Sequence, residues 1–129
     1  MNVPIPVCSG DLAHRTKTNG DARIQRILRV IAANPSHDIA ALARMVNLSC
    51  SRLSHLFKLE TGFSLRGFLV DCRLETAALV LRRSEASVKE VSYNVGYQHP
   101  PSFVRAFHGK FGCSPGEYRA QQQILRMCS

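Results

Sequence analysis

Residues 96–112, GYQHPPSFVRAFHGKFG, decide the fold, because two prolines stand directly before apolar residues that recur at helical spacing. The first N–H groups of a helix have no partner within the helix, so a proline costs least at that position. Each proline also disfavours helical geometry in the residue before it. We therefore predict that a helix begins close to Pro101, with His99 and Pro100 outside it.

The pattern of this stretch occurs twice in the chain, which indicates a structural repeat. Four pairs of apolar or aromatic residues are 49 positions apart: Ile39 and Val88, Leu42 and Val91, Val46 and Val95, Leu48 and Tyr97. Four further pairs are 50 positions apart: Leu53 and Phe103, Phe57 and Phe107, Gly62 and Gly112, Ser64 and Ser114. One residue is therefore inserted between the two sets, within the QHPPS of the second copy.

Each copy predicts a short helix, a tight turn and a second helix that ends at a glycine. In the first copy, Ser49 or Ser51 opens the second helix. Upstream, the apolar spacing of residues 21–35 predicts an amphipathic helix capped by Asp21. Residues 64–83 predict a longer helix that connects the two copies.

A short helix, a tight turn and a second helix with a basic outer face form a helix-turn-helix, whose second helix enters the major groove of DNA. The predicted outward residues are polar or basic and none is acidic, so they suit a partner that carries phosphate. These candidate DNA-binding residues are Ser51, Arg52, Ser54, His55 and Lys58 in the first copy, and Ser102, Arg105 and His108 in the second, with Gln98, His99 and Lys110 beside them. A connecting helix of roughly 18 residues spans about 27 Å, which is compatible with successive grooves about 34 Å apart.

The composition favours a polyanionic partner. The 129 residues include 17 Lys+Arg against 9 Asp+Glu, a net charge of +8. We find no paired carboxylates suited to a pocket, activated nucleophile, glycine-rich phosphate loop or metal-binding cluster, so we predict no enzyme, no cofactor and no metal site. The five cysteines follow no zinc or disulfide spacing, and no apolar run reaches membrane-spanning length. These features predict a soluble protein of a reducing compartment.

Four motifs carry a resemblance to a known family: LSHLFKLETGFSLRGFL, RLETAALVL, VKEVSYNVGY and SFVRAFHGKFGCSPGEYR. In their order and spacing, the residues from Asp21 to Arg119 resemble the DNA-binding domain of the AraC/XylS transcription regulators. The resemblance implies an all-α domain of about seven helices, with two helix-turn-helix subdomains joined by a long linker helix. It also implies a sequence-specific regulator, more often an activator than a repressor, that binds an asymmetric site on double-stranded DNA as a monomer. RNA polymerase is then a candidate partner, and a cytoplasmic location follows.

The chain departs from the family pattern in its second copy. Relatives often have polar residues where this chain has its proline pair, and a basic pair where it has His108 and Gly109. Our hypothesis is that the first recognition helix provides most of the base discrimination, whereas the second contacts the DNA backbone through Arg105, Lys110 and its N-terminal amides. The alternatives are a protein-binding helical module, which would expose a contiguous apolar patch, and a DNA-binding protein whose affinity barely depends on sequence.

The predicted organisation has a flexible lead-in, a DNA-binding domain and a tail, which span residues 1–20, 21–122 and 123–129. Within the domain, the first helix-turn-helix unit, the linker helix and the second unit span residues 21–63, 64–83 and 86–122. The lead-in is too short to be a ligand-binding domain. The chain is therefore either a complete small regulator or the DNA-binding part of a longer protein.

Overall fold

A computed structural model describes residues 21–128, so the predicted lead-in of residues 1–20 lies outside the described part of the chain. Residues 21–128 form helices and no strand. In chain order the helices are α1 (Ala22–Ala33), α2 (Ile39–Met45), α3 (Cys50–Thr61), α4 (Leu65–Arg83), α5 (Val88–Asn94), α6 (Pro100–Phe111) and α7 (Pro115–Cys128). The prediction of an all-α fold with about seven helices is confirmed.

The chain divides into two compact units between Cys72 and Arg73. In the first unit, α1, α2, α3 and the first half of α4 share one hydrophobic core. Its buried residues are Ile24, Ile27, Leu28, Ile31, Leu42, Ala43, Val46, Leu53, Phe57, Leu65, Phe68, Leu69 and Cys72. Asp21 caps α1 as predicted, because its carboxylate accepts a hydrogen bond from the N–H of Arg23 at 2.9 Å.

The second unit contains the rest of α4 together with α5, α6 and α7. Its buried apolar residues are Leu74, Ala77, Ala78, Leu81, Val91, Val95, Phe103 and Phe107. Phe107 lies among aromatic rings, with centroid distances of 4.4 Å to Phe111 and 5.4 Å to Tyr118. The guanidinium of Arg119 donates to the carbonyl oxygens of Leu81 and Ala86 at 3.1 and 2.6 Å, which fixes α7 to the connection between α4 and α5.

The turn inside each helix-turn-helix repeats at the level of single hydrogen bonds. Asn47 in the first turn and Gly96 in the second both have positive φ, at 56° and 106°. The N–H of Leu48 donates to the carbonyl of Ala43 at 3.0 Å, and that of Tyr97 donates to the carbonyl of Ser92 at 2.9 Å. Each bond satisfies a carbonyl at the end of the short helix.

The inserted residue of the second copy lies in its turn. The short helices have 7 residues in both copies and the recognition helices have 12. Tyr97 lies 49 positions after Leu48, whereas His99 lies 50 positions after Ser49, so Gln98 is the additional residue. One expectation was wrong: α6 begins at Pro100, which we had placed outside the helix. A proline has a helical φ and needs no N–H partner at the first position, and this outweighs the restriction that the next proline imposes.

The cysteines differ from the expectation in one respect. Cys50 and Cys113 are free thiols, but Cys72 is fully buried and disulfide-bonded. The cysteine spacing predicted no disulfide framework and did not mark Cys72 as a bonded cysteine, because a disulfide depends on the distance between two Cα atoms in the fold and not on spacing along the chain. At the other end of the chain, α7 continues through Cys128, beyond residue 122 where we had placed the end of the domain.

Candidate nucleic-acid interface

The outer face of α3 brings the five predicted residues of the first unit onto one surface. Leu53 and Phe57 are fully buried, so the opposite side of α3 faces solvent. The exposed residues are Ser51, Arg52, His55 and Lys58, and the half-buried one is Ser54. Of the two candidate caps, Ser49 is the N-cap, because its hydroxyl accepts a hydrogen bond from the N–H of Arg52 at 3.1 Å.

The α3 face carries positive charge that no acid neutralises. Among the described residues, the side chains of Arg52, His55 and Lys58 have no hydrogen-bond or ion-pair partner. Arg52 and Lys58 are cationic at neutral pH. A phosphate or a base edge can therefore bind these groups without displacing a partner in the protein.

An open groove of about 870 Å³ lies beside this face, between α3 and the start of α4. The apolar residues Ile39, Leu59 and Leu65 and the thiol of Cys50 line this groove together with six polar or basic residues, four of them predicted DNA-binding residues. These six residues are Ser51, Ser54, His55, Lys58, Ser64 and Arg66. Sequence reasoning did not single out Arg66, which the structure places in the lining of this groove. The available signal was its position two residues after the helix cap Ser64, where a basic side chain is electrostatically unfavourable.

The outer face of α6 is exposed for the same reason as that of α3. Phe103 and Phe107 are fully buried in the second unit and turn the opposite side of the helix toward solvent. Ser102 is half-buried. The exposed residues at the start and outer face of α6 are Gln98, His99, Arg105 and His108.

Acidic groups border the α6 face, in contrast to the α3 face. The Nζ of Lys110 lies 3.4 Å from Oε2 of Glu75 on α4, and the lysine side chain is only 17% exposed. Glu117 lies near His108 and its pKa is lowered, mainly because its carboxylate accepts a hydrogen bond from the N–H of Ser114 and to a smaller extent because of the histidine. The outward positions of α6 contain no acid, yet the fold places Glu75 and Glu117 beside them.

The start of α6 offers fewer N–H groups to a phosphate than an ordinary helix start does. His99 is the N-cap residue and makes no side-chain cap bond, and prolines occupy the first two helical positions. The next two N–H groups, of Ser102 and Phe103, donate to the carbonyl of His99 at 2.9 and 3.3 Å. Two of the N-terminal amides in our hypothesis are therefore replaced by proline nitrogens and two are bonded to the cap carbonyl, so the contact of these amides with the DNA backbone stays a prediction with less support than the contact through Arg105.

Other features of residues 21–128 bear on three further possibilities: a metal site, a membrane span and a protein-binding surface. This part of the chain has no group of three or more His, Cys, Asp or Glu side chains placed to hold a metal ion. None of its helices is long and apolar enough to cross a membrane. Some large apolar side chains are exposed, namely Leu59, Phe63, Ile124, Leu125 and Met127.

Two short helices, each followed by a tight turn and an exposed basic helix, define the class of double helix-turn-helix domains. A family model described as a helix-turn-helix domain matches residues 42–121. The chain belongs to the AraC/XylS family of helix-turn-helix regulators.

Individual relatives agree with this assignment. The arabinose operon regulatory protein of Escherichia coli (strain K12) is 37% identical over 103 residues, which cover 78% of this chain and 35% of that protein. The RCS-specific HTH-type transcriptional activator RclR of the same strain is 31% identical over 105 residues, covering 80% of this chain and 37% of that protein. The chain thus spans little more than a third of the length of these relatives.

A solved structure has the same fold. The C-terminal domain of AraT, a response regulator from Geobacillus stearothermophilus, matches with a TM-score of 0.71 at 28% sequence identity. The match covers 81% of this chain and 88% of that domain. The similarity therefore extends over most of residues 21–128 and includes both helix-turn-helix units.

Proposed function

We propose that this domain binds a specific sequence of double-stranded DNA and regulates transcription by inserting α3 and α6 into successive major grooves. The observation that supports the proposal most directly is the exposed basic face of α3, in which Arg52, His55 and Lys58 have no polar partner among the described residues. Residues of this kind are the ones that contact phosphates and base edges in the major groove. The proposed DNA contacts are Ser51, Arg52, Ser54, His55, Lys58, Gln98, His99, Ser102, Arg105, His108 and Lys110.

The two units have different roles in this proposal. Arg52 on α3 can bond a guanine at two atoms, and its neighbours on the face add hydroxyl and imidazole groups for other base edges. On α6 the corresponding surface offers Arg105 as its exposed fixed cation, while Lys110 is held by Glu75. The first unit therefore determines most of the sequence preference, and the second mainly contacts the DNA backbone.

The whole-protein properties in the proposal rest on family membership. We propose an activator that binds an asymmetric site as a monomer, contacts RNA polymerase and works in the cytoplasm without a cofactor or catalytic activity. RclR, one of the relatives above, is named as an activator. We also propose that the functional domain spans residues 21–122, with the units and linker at residues 21–63, 86–122 and 64–83.

Selection of bound duplexes from a random-sequence pool tests this function. The winning sequences are then compared with scrambled DNA at two salt concentrations. We expect one asymmetric motif with two half-elements about one helical turn apart, preferred over scrambled DNA by ~10³-fold or more.

Two results would overturn the proposal. Binding that falls with salt but ignores sequence would identify a non-specific DNA-binding protein. The absence of any enriched duplex would favour a protein partner, for which the exposed Ile124, Leu125 and Met127 of α7 would be the first surface to probe.

A further inference from the structure

We propose that Arg66, at the start of α4, binds a DNA phosphate in the groove beside α3 and so holds the first unit on the duplex. The inference rests on the proposed function and adds a residue and a role to it. The ligand is the sugar–phosphate backbone of the same duplex whose bases α3 contacts. Arg66 lies outside the recognition helix and contributes to affinity without contributing to base choice.

The geometry of the groove connects Arg66 to the α3 face. Ser51, Ser54, His55 and Lys58 of α3 form one side of the groove, and Ser64 and Arg66 of α4 form part of the other. A duplex that presents its bases to α3 must pass one backbone strand along an edge of this helix, because the major groove is bounded by phosphates on both sides. The groove offers that strand the hydroxyls and cations of its rim beside an apolar lining that includes Ile39, Leu59 and Leu65.

The charge of the groove suits phosphate. Arg66 and Lys58 are exposed fixed cations, and no acidic residue lines the groove in the described part of the chain. The Arg66 side chain has no hydrogen-bond or ion-pair partner among residues 21–128. A guanidinium can donate two parallel hydrogen bonds to a phosphate, so Arg66 has both the charge and the donors that such a contact requires.

Local stability does not account for an arginine at this position. Arg66 lies in the first turn of α4, where the positive end of the helix dipole disfavours a cation. The first turns of α5 and α7 contain Glu90 and Glu117, which the dipole favours, and the arginine in the first turn of α1, Arg23, is paired with the carboxylate of Asp21. Arg66 shares with Arg52 of α3 a first-turn position without such a pair. The placement of Arg66 opposes the electrostatics of its own helix, and a bound phosphate would be attracted both by the guanidinium and by the positive end of the helix dipole.

The second unit lacks the equivalent cation. The spacing of 50 residues places Gly116 at the position of Arg66, and Gly116 has no side chain to reach a phosphate. The phosphate contact we infer therefore belongs to the first unit alone. It gives that unit a backbone contact that is independent of its base-contacting helix.

Binding isotherms over a series of salt concentrations test the inference. Wild type, Arg66→Ala and Arg66→Lys are titrated with a selected duplex and with a scrambled duplex. Arg66→Ala is expected to weaken binding to both duplexes by the same factor and to reduce the slope of log affinity against log salt by about 0.9. Arg66→Lys keeps the charge and is expected to keep the slope. Arg29→Ala, which removes an exposed arginine of α1 outside the groove, is the matched control and is expected to leave the slope unchanged.

The outcomes separate this inference from the proposed function. If wild type prefers the selected duplex but Arg66→Ala keeps the wild-type slope, the phosphate contact is wrong and the proposed function stands. A loss in Arg66→Ala that is confined to one base pair would also overturn it, because Arg66 would then contact a base. If wild type shows no preference between the duplexes, the proposed function itself fails.

Discussion

The two recognition helices occupy equivalent positions in a repeat and have the same length, yet they present different surfaces. At the spacing of 50 residues, the outward positions of α3 and α6 compare as Ser51 with Pro101, Arg52 with Ser102, Ser54 with Val104, His55 with Arg105, and Lys58 with His108. The inward positions compare as Leu53 with Phe103 and Phe57 with Phe107, all fully buried. The fold requires large apolar residues on the buried face of each helix, whereas it places no such requirement on the exposed face.

The difference extends to how each helix begins and to its charged neighbours. α3 is capped by the Ser49 hydroxyl, and its cations have no polar partner among residues 21–128. α6 begins with two prolines and no side-chain cap, and Glu75 holds Lys110. The same architecture thus supports one unit suited to base contacts and one suited mainly to backbone contacts.

The core is where the two units are expected to be most alike. Phe57→Ala and Phe107→Ala each remove a fully buried ring, and each is expected to cost about 3–5 kcal/mol of unfolding free energy. Phe107 should lie at the upper end, since it also loses its contacts with Phe111 and Tyr118. Denaturant titration of both variants measures the two losses of unfolding free energy. A cost below 1 kcal/mol at either site would show that the two cores are not equivalent.

Substitutions at the starts of α3 and α6 should differ in their effect on the unfolding free energy, by less than the core substitutions cost. Ser49→Ala removes the hydroxyl that accepts from the N–H of Arg52, so we expect a loss of about 1 kcal/mol. His99→Ala, at the equivalent position, removes no cap bond and should leave the unfolding free energy nearly unchanged. Thermal unfolding of the two variants makes the comparison. Equal losses would mean that His99 stabilises α6 in a way that the structure does not indicate.

Removing Glu75 should make the second unit more like the first. Glu75→Gln removes the carboxylate 3.4 Å from the Nζ of Lys110 and with it one negative charge beside the α6 face. We expect DNA affinity to rise roughly two- to fivefold, which is within the range for ion pairs near the surface, and the salt slope to steepen by about 0.9. Glu85→Gln, an exposed acid outside this pair, is the control. Unchanged affinity and slope in Glu75→Gln would show that Lys110 serves the fold and not the DNA.

Much of this fold could be predicted because its signals are local. Apolar spacing located the helices, Asp21 marked the start of α1, and the choice between Ser49 and Ser51 located the start of α3 to within two residues, since capping needs only a side chain and an N–H a few residues away. The repeat also located both recognition helices. Pro100 was misplaced by one position because proline suits the first helical residue as well as the turn before it.

The parts that could not be predicted depend on contacts between distant segments. Glu75 is 35 positions from Lys110 in the chain, and no periodicity indicates that the fold brings them together. The groove that joins Arg66 to the α3 face forms only when α4 packs beside α3. The disulfide at Cys72 depends on tertiary geometry in the same way.

The most direct measurement compares Arg52→Ala with Arg105→Ala on a panel of duplexes in which each base pair of the selected site is changed in turn. We expect Arg52→Ala to remove about 1–3 kcal/mol of discrimination at one base pair in the half-element contacted by α3. Arg105→Ala should weaken binding to every duplex by a similar factor and lower the salt slope by about 0.9. A base-specific loss confined to Arg105→Ala, with a uniform loss in Arg52→Ala, would contradict the division of roles between the two units.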